Sequence, residues 1–230
     1  MTDRAKRLVP FAGVAYVALM VVGIGMTNTP DSTDPGSKVI AYYQAHHTRL
    51  SVSVFIFAYA ALLTVVYYTS LASYLRRAGA DVLATATVVG GAVLALGLLI
   101  SAGASSALID VRNHIDAGQA QTLNAVAEDL FAIAFFAGVA LATLASGLSM
   151  LRTRSLPKWL GILTVIVGVG ALTGVGSWIA FMATGPLTIA TAILVYRGLG
   201  RPAEVKLPDL PKARASVEDT GSKKPREHSA

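Results

Sequence analysis

Leu50-Ser51-Val52-Ser53-Val54-Phe55-Ile56-Phe57-Ala58-Tyr59-Ala60-Ala61-Leu62-Leu63-Thr64-Val65-Val66-Tyr67-Tyr68-Thr69-Ser70-Leu71-Ala72-Ser73-Tyr74-Leu75 carries no charged side chain, and Arg76-Arg77 closes it. As a helix it is about 39 Å long at 1.5 Å per residue, enough to cross a hydrocarbon layer of roughly 30 Å. A soluble helix would alternate apolar and polar faces; this run does not, so its length reads as a membrane span.

The composition extends that reading to the whole chain. Of 230 residues, 54% are hydrophobic and 14% charged, where soluble domains carry roughly 25% charged residues. With no cysteine, disulfides, thiolate ligands and cysteine nucleophiles are excluded; the redox compartment stays open.

Just before the run stands Ser37-Lys38-Val39-Ile40-Ala41-Tyr42-Tyr43-Gln44-Ala45-His46-His47-Thr48-Arg49. Helical spacing puts Val39, Tyr43, His46 and Leu50 on one face, and tyrosines at this level suit a membrane interface. The segment is expected to lie along the outer surface before the chain turns inward. Asn28–Ser37, rich in Pro, Gly, Asp, Ser and Thr, reads as a loop. Asp34-Pro35 suits an N-cap followed by proline in the first helical position.

Five further spans are expected. Leu8–Met26 follows Arg4, Lys6 and Arg7 as a signal peptide would, but it is longer than such a core and lacks an Ala-x-Ala site, so it reads as retained. The others fall at about 81–109, 128–151, 159–176 and 177–196. Gly90, Gly97, Ser101 and Ser105 in the third, and Ala134, Gly138, Ala142 and Ser146 in the fourth, form small-residue stripes that allow close helix approach. Gly161, Gly168, Gly170 and Gly174 do the same in the fifth, although one Gly-x-x-x-Gly pair is a weak signal. The expected architecture is therefore all-α: a polytopic bundle of six transmembrane helices over residues 1–198 with an outer-face amphipathic segment. A polar tail over 199–230 lacks the periodicity to form a core and is expected to be disordered.

Lysine and arginine orient the chain. Sixteen of the nineteen fall on the side that six spans assign to both termini, opposite Lys38, Arg49 and Arg112. Short segments alone give eight against three, so both termini are expected in the cytoplasm, with the protein in the plasma membrane. That placement accounts for the basic balance without nucleic acid, and part of the charge can meet anionic headgroups.

Candidate chemistry is sparse. His46, His114 and Asp110 form the conceivable divalent-metal set, because histidine and carboxylate ligate zinc and similar ions. Asp110 and His114 share a face only if the third helix continues past both. Arg49 is expected to pair with Glu128 or Asp129 at the outer ends of the second and fourth spans, since a bare charge there is costly and arginine stays protonated. Thr184, Thr188 and Thr191 line one face around Gly185-Pro186, where proline leaves the Met182 carbonyl without its usual partner. Those hydroxyls either bond back to their own helix or line a small polar cavity.

No Gly-x-Ser-x-Gly or His-Glu-x-x-His motif occurs, and the spans as drawn hold no ionisable interior residue of the kind coupled carriers use. The expected role is non-enzymatic: binding of a lipid, a small ligand or a partner protein, with homo-oligomer formation left open and no required cofactor. Transport through the Gly-Pro break is the runner-up, and an external metal-dependent enzyme the third reading.

Tyr42-Tyr43-x-x-His46-His47-x-Arg49, Leu75-Arg76-Arg77 after the long span, and Leu156-Pro157-Lys158-Trp159-Leu160-Gly161 resemble features of small actinobacterial multi-pass proteins of unknown function. The resemblance covers most of residues 8–198 and implies no activity.

Overall fold

The structure, a computed structural model, describes residues 9–173 and 176–199. After a 3-10 turn at Val9–Phe11 come α1 (Ala12–Met26), α2 (Gly36–Arg77), α3 (Asp81–Val111), α4 (Ala117–Thr153), α5 (Lys158–Ala171) and α6 (Gly176–Leu199). No strand occurs among the described residues. The expected tail lies outside them.

Five of these helical segments are long and apolar enough to cross a membrane: Val9–Met26, α2, α3, α4 and Gly176–Gly198. Large apolar side chains on their outer surfaces, among them Phe55, Leu62, Ile133, Ile179 and Met182, are mostly exposed. A water-soluble fold rarely presents so much contiguous apolar surface; in a bilayer it is the solvated face.

The fifth expected span is shorter than its sequence implied. α5 has 14 residues, about 21 Å of helix against roughly 30 Å of hydrocarbon. It stops because the chain turns at Leu172 and Thr173, whose amides bond back to Val169 and Gly170. The Thr173 hydroxyl adds a bond to the Gly170 carbonyl. Apolar residues beyond 171 carried no mark of that stop.

α2 is two helices joined at His46, whose φ −119° and ψ 15° leave the helical region. Val39, Tyr43 and Leu50 are buried as their shared face predicts, and with Leu108, Ile109 and Ala120 they form a small apolar core of their own. His46 departs from that face and is exposed, because the kink falls on it. The helix begins at Gly36 behind Pro35, without a side-chain cap. Asp34 instead accepts from the Asp31 amide and from Lys38 Nζ.

Small residues set the helix spacing. A Cβ built on Gly90 would stand 2.3 Å from the Ala142 nitrogen, and one on Gly138 would stand 2.3 Å from the Leu94 nitrogen. Backbone therefore packs on backbone between α3 and α4, as the stripes lead one to expect. Gly161 and Gly168 bring α5 against Leu151, Thr143 and Leu144 of α4, whereas Gly170 has looser surroundings.

The two ends of the described bundle segment meet. Phe11 stacks edge-on against Tyr196 with ring centres 5.1 Å apart. Tyr74 Oη donates to the Ser155 carbonyl at 2.9 Å, and Gly198 lies against the same tyrosine ring.

Candidate functional site

Buried polar groups occur along several helices, among them Asn124, Thr143 and Ser146 of α4 and Thr164 of α5, and one group of hydroxyls lies where α1, α2 and α6 meet. Tyr16 of α1, Tyr67 and Tyr68 of α2, and Thr184, Thr188 and Thr191 of α6 are all at least nine-tenths buried. α1 and α6 approach because Gly13 is small: a Cβ there would sit 2.5 Å from the Tyr67 ring and 3.0 Å from the Thr188 methyl. Tyr67 and Tyr68 stack edge to face at 4.9 Å.

Hydroxyls in hydrocarbon need partners, because an unpaired one costs several kcal/mol. Thr184 Oγ1 donates to the Ala180 carbonyl at 2.7 Å, a bond within its own helix. Thr64 does the same to Ala60. Tyr67 lies near the hydroxyls of Thr191 and Thr188 across the α2–α6 contact, with no hydrogen bond formed between them among the described residues. Tyr16 lies close enough to Tyr68 for the two phenols to interact electrostatically, yet among the described residues its hydroxyl makes no hydrogen bond.

Beside this cluster is a cleft of about 160 Å³ between α1 and α6. Tyr16, Met20 and Ile24 line one wall, and Phe181, Thr184 and Pro186 the other. Pro186 lies inside α6, which runs on past it as one helix, so the break read from Gly185-Pro186 is a local defect in a continuous helix. Gly185 opens the wall: its missing side chain leaves Val17 as the neighbour, 3.4 Å from where a Cβ would be. Val21 and Met182 at the rim are mostly exposed, so the cleft opens sideways, toward lipid.

A larger hollow of about 760 Å³ includes Val111, His114, Ile115, Asp116 and Leu123. It is wide open, and its polar lining residues His114, Asp116, Gln119 and Thr122 are all exposed, so size alone does not make it the better site. His114 stands here apart from Asp110, because α3 ends at Val111 and the His114 amide closes a turn onto the Val111 carbonyl. His46 Nδ1 instead contacts its own helix at the Tyr42 carbonyl. Among the described residues no three His, Cys, Asp or Glu side chains gather as a metal site, so His46, His114 and Asp110 do not form the expected ligand set.

The expected pairing of Arg49 with Glu128 or Asp129 is likewise not made. Arg49 Nε donates to the Met26 carbonyl at the end of α1, and Glu128 and Asp129 are exposed on α4. The ion pair found among the described residues is Lys38–Asp34 at 2.7 Å. The open carbonyls that end a helix satisfied Arg49 locally, a partner that residue spacing does not display.

Thr184, Thr188 and Pro186 were legible from the sequence; Tyr16, Tyr67 and Tyr68 were missed. Their signal was position: tyrosine favours the interfacial ends of spans, and these three lie well inside apolar runs.

The fold and this site define an all-helical multi-pass membrane protein with hydroxyls around a lateral cleft. Within that class the chain belongs to the family described as a domain of unknown function, DUF4386, which it matches over residues 11–198. Neither characterised proteins nor solved structures provide a match.

Proposed function

We propose that this protein is a non-catalytic membrane receptor for a lipid-soluble small molecule, held in the cleft between α1 and α6. The observation that carries the reading is the cleft itself, apolar at its lipid-facing rim and bordered by buried hydroxyls at Gly185-Pro186. A pocket that is mostly apolar with a few placed polar groups is the common form of a small-molecule site.

The orientation belongs to the same proposal. The contact of Phe11 with Tyr196 favours an even number of crossings, with short α5 making the fifth and both ends of the bundle facing the cytoplasm of a plasma-membrane protein. The excess of lysine and arginine at Arg76–Arg77 and around Pro157 favours the same direction. The kinked Gly36–His46 segment then covers the outer face.

Transport is the second reading, favoured by a proline within α6 next to the cleft, since irregular helices border substrate sites in many carriers. It predicts flux of the ligand across sealed vesicles, which a receptor does not produce.

Extraction of small molecules from the protein purified in mild detergent tests the binding reading. A discrete lipophile should accompany the wild-type protein at near-stoichiometric amount. Gly185→Leu, which fills the cleft from α6, should reduce it about tenfold while the protein keeps its thermal stability. An unchanged set of bound molecules in the two proteins sinks the proposal.

A further inference from the structure

The ligand's chemistry follows from Tyr16, if the cleft is the binding site proposed above. Tyr16 is 3% exposed and borders the cleft, and its hydroxyl donates to no protein acceptor among the described residues. A phenylalanine would fill the same space without an unpaired O–H. Tyr16 Oη is not among the fully enclosed atoms that lack a partner, which among the described residues is Ser149 Oγ, so a molecule in the cleft can reach it. The surrounding lining is Val17, Met20, Val21, Ile24 and Phe181, which offers no side-chain acceptor. Thr184 Oγ1 donates to the Ala180 carbonyl and keeps its lone pairs, but among the described residues no hydrogen bond joins it to Tyr16.

Depth narrows the source of an acceptor. Tyr16 is the eighth residue of the 18-residue apolar segment Val9–Met26, roughly 11 Å from its start at helical rises. That is near the middle of a hydrocarbon layer about 30 Å thick. Phospholipid ester carbonyls lie at the edges of that layer and do not reach the middle without dragging a charged headgroup with them. A charged ligand group would find no counter-charge: among the residues lining the cleft none is ionisable at neutral pH. What fits is an uncharged oxygen on a molecule dissolved wholly in the membrane.

We infer that Tyr16 donates a hydrogen bond to the carbonyl oxygen of a membrane-soluble quinone or ketone whose apolar chain lies along the α1–α6 cleft. The phenol supplies the donor, Met20 and Phe181 supply apolar contact, and Gly185 supplies the space. No covalent or redox step is involved.

The test uses the full chain in lipid nanodiscs, with decyl-benzoquinone as the probe and decylbenzene as its oxygen-free counterpart. Trp178 reports binding by fluorescence: its ring lies 6.0 Å from Phe181 of the cleft wall, and Trp159→Phe removes the other indole. Saturable quenching gives the affinity for the quinone, and displacement of the quinone gives that of decylbenzene. Wild type should favour the quinone over decylbenzene, and Tyr16→Phe should weaken quinone binding about tenfold while leaving decylbenzene unchanged. Its melting temperature should match wild type, because the ring is retained. Equal quinone affinity in wild type and Tyr16→Phe overturns the inference while the cleft stands, as would happen if water satisfied the hydroxyl. Saturable binding that survives Gly185→Leu overturns the cleft itself. Repeating the titration in ether-linked phospholipid separates the two carbonyl sources. Unchanged quinone affinity supports the mobile lipophile, and a marked rise shows that lipid esters were the competing occupant and overturns the choice of ligand.

Discussion

Gly138 of α4 faces Leu94 of α3 so closely that a Cβ on the glycine would stand 2.3 Å from the leucine nitrogen. No side chain separates these two helices at that point; the contact is main chain on main chain. Gly138→Ala must push α3 and α4 apart, because backbone cannot yield as a flexible side chain can. Overpacking of this kind costs about 1–3 kcal/mol, to be read as a lower melting temperature in detergent. Gly103→Ala, at a position with open space around it, should leave stability equal or slightly raised by its better helix propensity. Equal melting of both variants contradicts the close contact.

The small-residue stripes were legible because their spacing is a property of one helix. What they pack against was not, and the same boundary separates the rest. Uncharged runs announced the long helices, but nothing in Trp159–Gly176 revealed that the helix stops at Ala171, since that stop is a turn closed by Thr173 onto Gly170. The His46 kink was hidden for the same reason: local composition favoured one continuous face, and packing of Val39 and Tyr43 on Leu108 and Ile109 set the direction. At the site, Thr184 and Pro186 stood out as sequence oddities. Tyr16 acquires meaning only when α1 and α6 are seen together.

Arg49 gives a second prediction. Its bond to the Met26 carbonyl joins the end of α1 to the start of the long part of α2. Arg49→Ala should destabilise by on the order of 1 kcal/mol. In double-mutant cycles with Glu128→Ala or Asp129→Ala, the losses should add, because the acids do not share its bond. A coupling beyond experimental error would place the guanidinium on the acids instead.

The Asp31–Asp34 loop should respond to acid. Bonds from the Thr33 amide and hydroxyl lower the pKa of Asp31, and the Lys38 ammonium lowers that of Asp34. A depressed carboxylate lends order above its unfolded pKa and loses it as pH falls through the folded value. Amide-exchange protection over residues 28–35, corrected for the intrinsic pH dependence of exchange, should therefore fall below the usual carboxylate range and stay flat between neutral and mildly alkaline pH. Asp34→Asn should bring the lower protection to neutral pH. Protection indifferent to both changes would show that the loop's order rests elsewhere.

Topology can be read directly because the chain has no cysteine. Single cysteines at positions 33 and 118 should react with an impermeant thiol reagent on intact cells. Those at 79 and 155 should react only after the cells are opened. The reverse pattern ends the orientation proposed from the basic residues, and labelling of 79 but not 155 ends the six-crossing arrangement.

The cleft is tested most directly by a photoreactive amino acid placed at Met182, on its rim, and separately at Ile166, on the exposed apolar face of α5. Irradiation in native membranes, followed by intact-protein mass spectrometry, shows what each position touches. A receptor with a defined ligand gives one discrete added mass at 182, absent when Gly185→Leu fills the cleft, and a mixture of bulk phospholipids at 166. The same phospholipid mixture at both positions would contradict the account.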